Sequence, residues 1–259
     1  MRNPLLAILS AGVVTQREVC PDLPPGTSGL PMLTEAACDG SGCRQCVDIC
    51  PTQAIALLSD DAGNAVTLDR GRCIGCSECI RACPTGTLAA DRSTRVATRT
   101  REELVLTNRP FPTAHPAPRT PHGSTATAPF HRSLHIREVS TGCNATDLEV
   151  AAATNPIFDV ARFGVHFVAS PRFADALVVT GPVGRAMQEP LRRCYDAMAE
   201  PRLVIAVGTC AISGGLHRGG YADANGVEGI LPVAAYVPGC PPHPWSIIHG
   251  ILLAMGRGV

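Results

Sequence analysis

The stretch Cys73-Ile-Gly-Cys76-Ser-Glu-Cys79-Ile-Arg-Ala-Cys83-Pro84 carries four cysteines in the spacing Cys-x2-Cys-x2-Cys-x3-Cys-Pro. An earlier run, Cys38-x4-Cys43-x2-Cys46-x3-Cys50-Pro51, differs only by two extra residues in its first gap. The residues from Cys46 to Ala56 align with those from Cys79 to Ala89, so the two runs form an internal repeat. A duplicated unit of this kind predicts a domain with pseudo-two-fold symmetry.

Thiolates at this spacing typically hold a [4Fe–4S] cube, and the last cysteine of each run ligates the cube of the other run. The sequence therefore predicts two [4Fe–4S] clusters and single-electron chemistry. The second run has the spacing of bacterial ferredoxins, and residues 36–90 are predicted to form an α+β ferredoxin-like domain. The predicted ligands are Cys38, Cys43, Cys46 and Cys83 for cluster I, and Cys50, Cys73, Cys76 and Cys79 for cluster II.

Zinc and disulfides are the alternatives for these cysteines. Structural zinc usually takes its four ligands as two separated pairs, whereas each run here offers three closely spaced cysteines and a fourth before proline. The 13 cysteines are odd in number, and the chain of 259 residues is longer than the small secreted scaffolds that disulfides stabilise. Both alternatives are weaker than the cluster interpretation.

The composition limits the classes of function. A hydrophobic fraction of 45% is enough for a conventional core, and the net charge of zero argues against general nucleic-acid binding. No run of about 18 apolar residues predicts a membrane span. The first residues only faintly resemble a signal peptide, and no twin-arginine signal precedes the cysteine runs, so we expect a cytoplasmic protein.

Outside the repeat the chain divides into three further segments. Residues 1–35 are predicted to pack as an extended arm, and residues 91–133 form an arginine-rich linker. The linker is either a solvated tether or a strap along a partner subunit, because prolines make such a segment extended and semi-rigid. Its prolines are Pro110, Pro112, Pro116, Pro118, Pro121 and Pro129.

Residues 134–259 alternate between short apolar runs and helical stretches. This alternation predicts a doubly wound, flavodoxin-like α/β domain with a parallel sheet. The predicted strands are Leu134–Val139, Phe167–Ala169, Ala176–Thr180, Leu203–Val207 and Val233–Val237, with a helix over Val183–Ala199. Cys210 and Cys240 each follow a predicted strand, where ligand sites of such sheets gather.

The motifs Gly208-Thr-Cys210-Ala-Ile-Ser-Gly-Gly215 and Val237-Pro-Gly-Cys240-Pro-Pro242 resemble a known family. It comprises the complex I B-type subunit and the small subunits of group 4, formate hydrogenlyase-type [NiFe]-hydrogenases. The resemblance covers residues 134–254, and its supporting segments are Phe158–Gly164, Ala169–Arg172, Val179–Val183 and Tyr195–Met198.

The resemblance implies one [4Fe–4S] cluster with four cysteine ligands at the interface with a larger catalytic subunit. Cys143, Cys210 and Cys240 match three of these ligands, but Thr146 stands where hydrogenase-like members have the fourth. A threonine hydroxyl is a poor iron ligand. An oxygen of Asp147, water, or a partner's side chain would complete a [4Fe–4S] cluster; otherwise the cluster is [3Fe–4S] or the site is empty. We expect a third cluster with three cysteine ligands.

Glu149 matches an acidic position near the cluster in this family. It is a candidate for proton-coupled electron transfer, or an acid favoured by the helix dipole at a helix start. No Gly-x-Gly-x-x-Gly follows a strand, so nicotinamide and flavin binding are not supported.

The resemblance implies an iron–sulfur electron-transfer subunit of a membrane-associated hydrogenase-like or complex I-like oxidoreductase. The chain would relay electrons between an external ferredoxin-like or other redox partner and a large subunit with a [NiFe] or quinone site. It would have no catalytic residue of its own. Membrane subunits would bind it indirectly, on the cytoplasmic face of the inner membrane. The alternative is a stand-alone soluble ferredoxin-type carrier whose C-terminal domain is a docking module.

Overall fold

The structure is a computed structural model that describes residues 4–38, 43–60, 63–108 and 128–258. The helices are α1 (Pro4–Ala11), α2 (Gln45–Asp48), α3 (Glu78–Ala82), α4 (Asn144–Ala152), α5 (Gln188–Asp196), α6 (Thr209–Ser213) and α7 (Pro244–Ala254). The strands are β1 (Pro31–Leu33), β2 (Ile55–Asp60), β3 (Gly63–Asp69), β4 (Leu88–Ala90), β5 (Val105–Thr107), β6 (Leu134–Ser140), β7 (Val165–Phe167), β8 (Ala176–Thr180), β9 (Leu203–Val207) and β10 (Ala235–Val237).

A five-stranded parallel sheet forms the C-terminal part, with the strand order β10-β9-β8-β6-β7. Counted within this part of the chain, the order is 2-1-3-4-5, which is the flavodoxin-like order. Every residue of β8 and β9 is buried, because strands of a parallel sheet are covered on both faces. The prediction of a parallel α/β sheet for this part is therefore confirmed.

Helices cover both faces of this sheet. On one face, α4 and α7 pack through Val150 and Ile251 against Ile136 and Ile205. On the other face, α5 and α6 pack through residues that include Leu191 against the alternate side chains of the same strands. α7 begins with Pro244 behind an N-cap at His243, whose side chain accepts a hydrogen bond from the backbone N–H of Trp245.

The strand boundaries agree closely with the predictions. Ala176–Thr180 and Leu203–Val207 lie as predicted, and Leu134–Ser140 extends the predicted strand by one residue. Two differ: β7 lies two residues earlier than predicted, and β10 begins at Ala235 rather than Val233. The helix predicted over Val183–Ala199 is shorter, at Gln188–Asp196, and follows a 3-10 turn at Arg185–Met187.

The part that carries the two cysteine runs contains small antiparallel sheets, β2-β3-β5 and β1-β4. Cys46 on α2 and Cys79 on α3 lie in the same apolar core as Ile55 and Leu68. Each run provides a short helix followed by a strand, namely α2 with β2 and α3 with β4. The duplication seen in the sequence is therefore repeated in the order of the elements.

Residues 91–108, the first part of the predicted linker, are folded against both parts. Thr98 pairs with Tyr236 through two backbone hydrogen bonds and so covers the free edge of β10. β5 pairs with β3, and the largely buried Arg70–Asp91 ion pair, with 2.6 Å between Nη2 and Oδ2, holds the start of the segment. Residues 109–127, which contain most of the linker prolines, lie outside the described residues.

Part of the predicted N-terminal arm contacts both parts as well. The backbone N–H of Leu23 donates to the carbonyl oxygen of Arg92, and the guanidinium of Arg92 donates to the carbonyl oxygen of Leu23. The indole N–H of Trp245 donates to Gln16 Oε1 at 2.6 Å. Cys20 is buried beneath the same tryptophan, as expected for an ordinary packing thiol, and burial raises its pKa to about 11 against a weaker lowering by Arg95. Among the described helices, none has the length and apolar character to traverse a bilayer.

We expect the parallel sheet to dominate the stability of the chain. Leu177→Ala, in β8 and fully buried, should lower the free energy of unfolding by about 2–5 kcal/mol because it leaves a cavity between sheet and helices. Thermal unfolding at a fixed scan rate measures the effect. The matched control, Leu9→Ala, removes an exposed leucine of α1 and should change stability little. Equal destabilisation by both variants would contradict the assignment of the core.

Candidate metal centres

The four cysteines predicted for cluster I meet around α2. Burial raises the pKa of the Cys46 thiol, and the neighbouring thiols of Cys38, Cys83 and Cys43 raise it further. Cys83 belongs to the second run, so the two runs cross over as the ferredoxin spacing requires. Cys38 and Cys83 also pack against the apolar cluster that contains Cys46, and the four-cysteine ligand set of cluster I stays a prediction.

The complementary set meets around α3. Burial raises the pKa of Cys73 to about 12, and the thiols of Cys79, Cys50 and Cys76 add to it against a hydrogen bond from the Gly75 N–H. All four cysteines line one small cavity together with apolar side chains such as Ile55 and Leu68. Thiolates crowded in this way repel one another, and bound metal offsets their charge. The donor set is that of a metal–sulfur cluster, although among the described residues no three or more His, Cys, Asp or Glu side chains are arranged to hold a single metal ion.

Backbone N–H groups point at several of these sulfurs. The N–H of Ala54 lies 3.2 Å from Cys50 Sγ, and the N–H of Gly75 lies 3.4 Å from Cys73 Sγ. For Cys83, burial raises the thiol pKa, but hydrogen bonds from Thr85 and from the backbone of the following residues outweigh it and lower the pKa overall. Donors of this kind stabilise thiolates and set the potentials of iron–sulfur clusters.

The third group of cysteines lies at the carboxyl ends of three parallel strands. Cys143 follows β6, Cys210 lies in α6 directly after β9, and Cys240 follows β10. Burial raises the pKa of Cys210 to about 11, and the thiols of Cys240 and Cys143 and the carboxylate of Asp223 raise it further. The three cysteines predicted for the third site are therefore neighbours, at the position where ligands bind in such sheets.

Thr146 lies inside this group. Its side chain is buried, at 2% exposure, and its Oγ1 lies 3.2 Å from Cys143 Sγ. A Cβ added to Gly208, the residue before α6, would approach Thr146 Oγ1 to 3.0 Å. The hydroxyl of Thr146 thus lies next to Cys143. Thr146 occupies the sequence position where the family resemblance places the fourth cysteine.

Asp147 has both carboxylate oxygens in hydrogen bonds to strand ends. Oδ2 accepts from Ser140 Oγ at 2.7 Å, and Oδ1 accepts from Thr180 Oγ1 at 2.5 Å. The carboxylate therefore fastens the first turn of α4 to β6 and β8. Its role as a fourth iron ligand stays a prediction.

Glu149 lines a cleft of about 260 Å³ beside Cys240, with His243 and Gly75 also in its wall. Burial raises the pKa of Glu149 and lowers that of His243. The cleft thus places a carboxyl group and an imidazole near the third group of cysteines. Sequence reasoning did not single out His243 as a site residue.

Glu138 on β6 is a further titratable group that the sequence did not signal. Burial, and then the nearby carboxylate of Asp147, raise its pKa to about 7, with a smaller opposing effect of Arg137. Glu138 lies on the same face of β6 as Leu134 and Ile136, which are fully buried in the core. The cause of the raised pKa of Glu138 is seen only in the structure, where the side chain is partly buried near the carboxylate of Asp147.

Two buried hydroxyls of α6 join the third group to the cluster II loop. Thr209 Oγ1 lies 2.7 Å from the carbonyl oxygen of Cys73, and Ser213 Oγ lies 2.9 Å from that of Gly71. Gly215, just after α6, has no room for a side chain. Its φ is +56°, and an added Cβ would lie only 2.8 Å from Cys210 Sγ. No local pattern in the sequence predicts these contacts.

A substitution at Asp147 distinguishes its two candidate roles, as a hydrogen-bond acceptor that fastens α4 to the sheet and as a fourth iron ligand. Asp147→Asn should destabilise the chain by about 1–3 kcal/mol, because the amide cannot accept from both hydroxyls. Thermal unfolding measures this, and Asp196→Asn, at an exposed position, is the matched control. A change confined to the EPR signal of a third cluster, without loss of stability, would instead favour the ligand role.

Two family models match the chain. The model described as "NADH ubiquinone oxidoreductase, 20 Kd subunit" matches residues 143–254, and the "4Fe-4S dicluster domain" matches residues 37–87. The second match supports two [4Fe–4S] clusters in the N-terminal part. The ligand residues of all three groups stay predictions.

Curated relatives match about half of the chain. The probable membrane-bound hydrogenase subunit mbhJ of Pyrococcus furiosus is 42% identical over 128 residues, which is 49% of this chain and 76% of that protein. An NADH-quinone oxidoreductase subunit of Mycobacterium tuberculosis is 48% identical over 126 residues, which is 48% of this chain and 68% of that protein.

Formate hydrogenlyase subunit 7 of Escherichia coli is 40% identical over 126 residues, and the chain spans only 49% of that protein's length. These matches confirm the resemblance predicted from the Cys210 and Cys240 motifs. The chain belongs to the NADH ubiquinone oxidoreductase 20 Kd subunit family and carries a 4Fe–4S dicluster domain ahead of the family domain.

Proposed function

We propose that this chain is the iron–sulfur electron-transfer subunit of a membrane-associated oxidoreductase of the hydrogenase or complex I type. The observation that carries the proposal is that three groups of cysteines lie in one folded chain, with the cluster II loop hydrogen-bonded to the helix that bears Cys210. Iron–sulfur clusters, when bound, accept and release single electrons. The chain's own residues hold the groups and bring them close together.

In this proposal residues 36–90 are the ferredoxin-like domain and residues 134–259 the family domain. Residues 1–35 are an arm and residues 91–133 a linker whose folded portion binds both. Cluster I is held by Cys38, Cys43, Cys46 and Cys83, and cluster II by Cys50, Cys73, Cys76 and Cys79. The convergence of these thiols and the N–H donors around them support the assignment.

The third site would bind a cluster through Cys143, Cys210 and Cys240. Mutual effects among the three thiols support it. The hydroxyl of Thr146 faces the position of the fourth ligand, and the oxygens of Asp147 are engaged by hydroxyls elsewhere. We therefore favour a [3Fe–4S] cluster, or a [4Fe–4S] cluster whose fourth iron has no ligand from a side chain of this protein.

The large catalytic subunit would dock over the third site. Cys240 is exposed, and the segments that hold the cysteines also present exposed apolar side chains, at Leu148, Leu216 and Tyr221, which is 90% exposed. Exposed apolar groups around a functional site are typical of protein interfaces. The relatives include a membrane-bound hydrogenase subunit, which supports association of the complex with a membrane. In our proposal this association is indirect, through partner subunits on the cytoplasmic face.

Removal of one ligand tests the third site. Cys210→Ser should abolish the EPR signal of a third cluster and lower the iron content from about eleven or twelve atoms per chain to about eight, since [4Fe–4S] cubes at the other two sites remain. Cys194→Ser, in α5 and outside every motif, should leave both unchanged. Eight irons and no third signal in the unaltered protein would favour the stand-alone ferredoxin hypothesis.

Substitution of the exposed rim tests the docking site. Leu148→Arg should weaken co-purification with the large subunit at least roughly fivefold, because interface hot spots exceed about 1 kcal/mol. Phe173→Arg is the control, because this exposed residue precedes β8 and lies at the opposite edge of the sheet. Equal retention of the partner by both variants would contradict docking at the carboxyl edge.

A further inference from the structure

The buried hydroxyl of Thr209 touches the backbone of two segments that meet between the cluster II site and the third site. Thr209 is 1% exposed, directly precedes Cys210, and lies 2.7 Å from the carbonyl oxygen of Cys73. The same Oγ1 lies 3.1 Å from the carbonyl oxygen of Gly239, which directly precedes Cys240. One side chain therefore contacts two segments that each hold a predicted ligand and is itself covalently next to a third.

The hydroxyl has one proton for these two acceptors. The carbonyl of Gly239 already accepts from the backbone N–H of Thr209 at 2.9 Å. The shorter contact of the hydroxyl is to the carbonyl of Cys73, which has no other described donor of this kind. The hydroxyl proton therefore points to the carbonyl oxygen of Cys73. It crosses the contact between α6 and the loop with Gly71 and Cys73, which we call the seam.

From this geometry we infer that Thr209 is the positioning residue that connects the cluster II site to the third site. The inference rests on the proposed function and adds a relay order and a specific contact to it. The path runs from Cys73 through its carbonyl and the Thr209 hydroxyl to the backbone of Cys210. Cluster II is then the neighbour of the third site, and cluster I, held by the opposite set of cysteines, faces the external redox partner.

The redox step needs no other chemistry. With clusters bound, the cluster II site would be oxidised by one electron and the third site would be reduced by that electron. No covalent bond forms or breaks, and no proton is transferred. Thr209 keeps the two sites at a fixed separation and supplies a hydrogen-bonded link between them.

Ser213 provides the comparison within the same helix. It is also buried, and its Oγ donates across the same seam, to the carbonyl of Gly71 at 2.9 Å. Gly71 is not a predicted ligand, and Ser213 lies one turn beyond Cys210. A loss of the Ser213 hydroxyl therefore weakens the seam without interrupting the path.

The test uses the full chain loaded with iron and sulfide. A photoreductant delivers less than one electron per chain, and time-resolved absorption follows the redistribution of electrons between the ferredoxin-type clusters and the third cluster. EPR redox titration and iron analysis establish in each variant that every cluster is present and at what potential. Thr209→Val removes the hydroxyl at nearly constant volume, Thr209→Ser restores it, and Ser213→Ala is the matched control.

We expect Thr209→Val to slow the redistribution several-fold with unchanged cluster potentials, and Thr209→Ser and Ser213→Ala to retain the rate of the unaltered protein. Should Thr209→Val lose iron, Thr209→Ala makes the same deletion with less crowding and should show the same slowing. An unchanged rate of electron redistribution in the hydroxyl-free variants, or equal slowing by Ser213→Ala, overturns this inference but not the proposed function. Absence of a third cluster from the unaltered protein overturns the proposed third site and the inference together.

Discussion

The carboxyl edge of the parallel sheet is the constraint around which the rest of the molecule is arranged. β6, β9 and β10 end there, and each is followed by one of Cys143, Cys210 and Cys240. Parallel strands expose their carboxyl ends on one side, so three cysteines far apart in sequence come to lie at the same edge of the sheet. The cluster II loop packs on this edge through Thr209 and Ser213. A repeat that looks like an independent module in the sequence is in fact seated against the family domain.

In all three groups of cysteines, the thiols are so close together that forming several negatively charged thiolates is unfavourable. Burial and neighbouring sulfurs raise the pKa of Cys46, Cys73, Cys79, Cys210 and Cys240, which disfavours several thiolates in one place. Backbone N–H donors relieve part of this repulsion at Cys50, Cys73 and Cys83, and bound metal would relieve the rest. At the third site the hydroxyl of Thr146 takes the place of one thiolate and adds no charge. With three thiolates and one neutral hydroxyl, that group would carry one negative charge fewer than a site with four cysteines.

The parallel sheet followed from the sequence because the signals of its strands are local. Ala176–Thr180 and Leu203–Val207 are continuous apolar runs bounded by turns, and β8 and β9 occupy those residues. β7 lies earlier than expected because the apolar run there continues past the last paired residue. The fold of residues 91–108 depends on Thr98 meeting Tyr236, more than a hundred residues away, and composition alone suggested a tether. The same distance in sequence hid the Thr209–Cys73 contact and the environment of Glu138.

The pairing of Thr98 with Tyr236 also bears on how the protein avoids aggregation. An uncovered edge strand offers unpaired N–H and carbonyl groups to any other chain. Here the chain places its own segment on β10, while the opposite edge strand, β7, has only three residues. The segment that joins the two halves is thus also the cover of the sheet. Evolutionary separation of the halves into two proteins would have to replace that cover, which gives a fused chain of this kind a reason to stay fused.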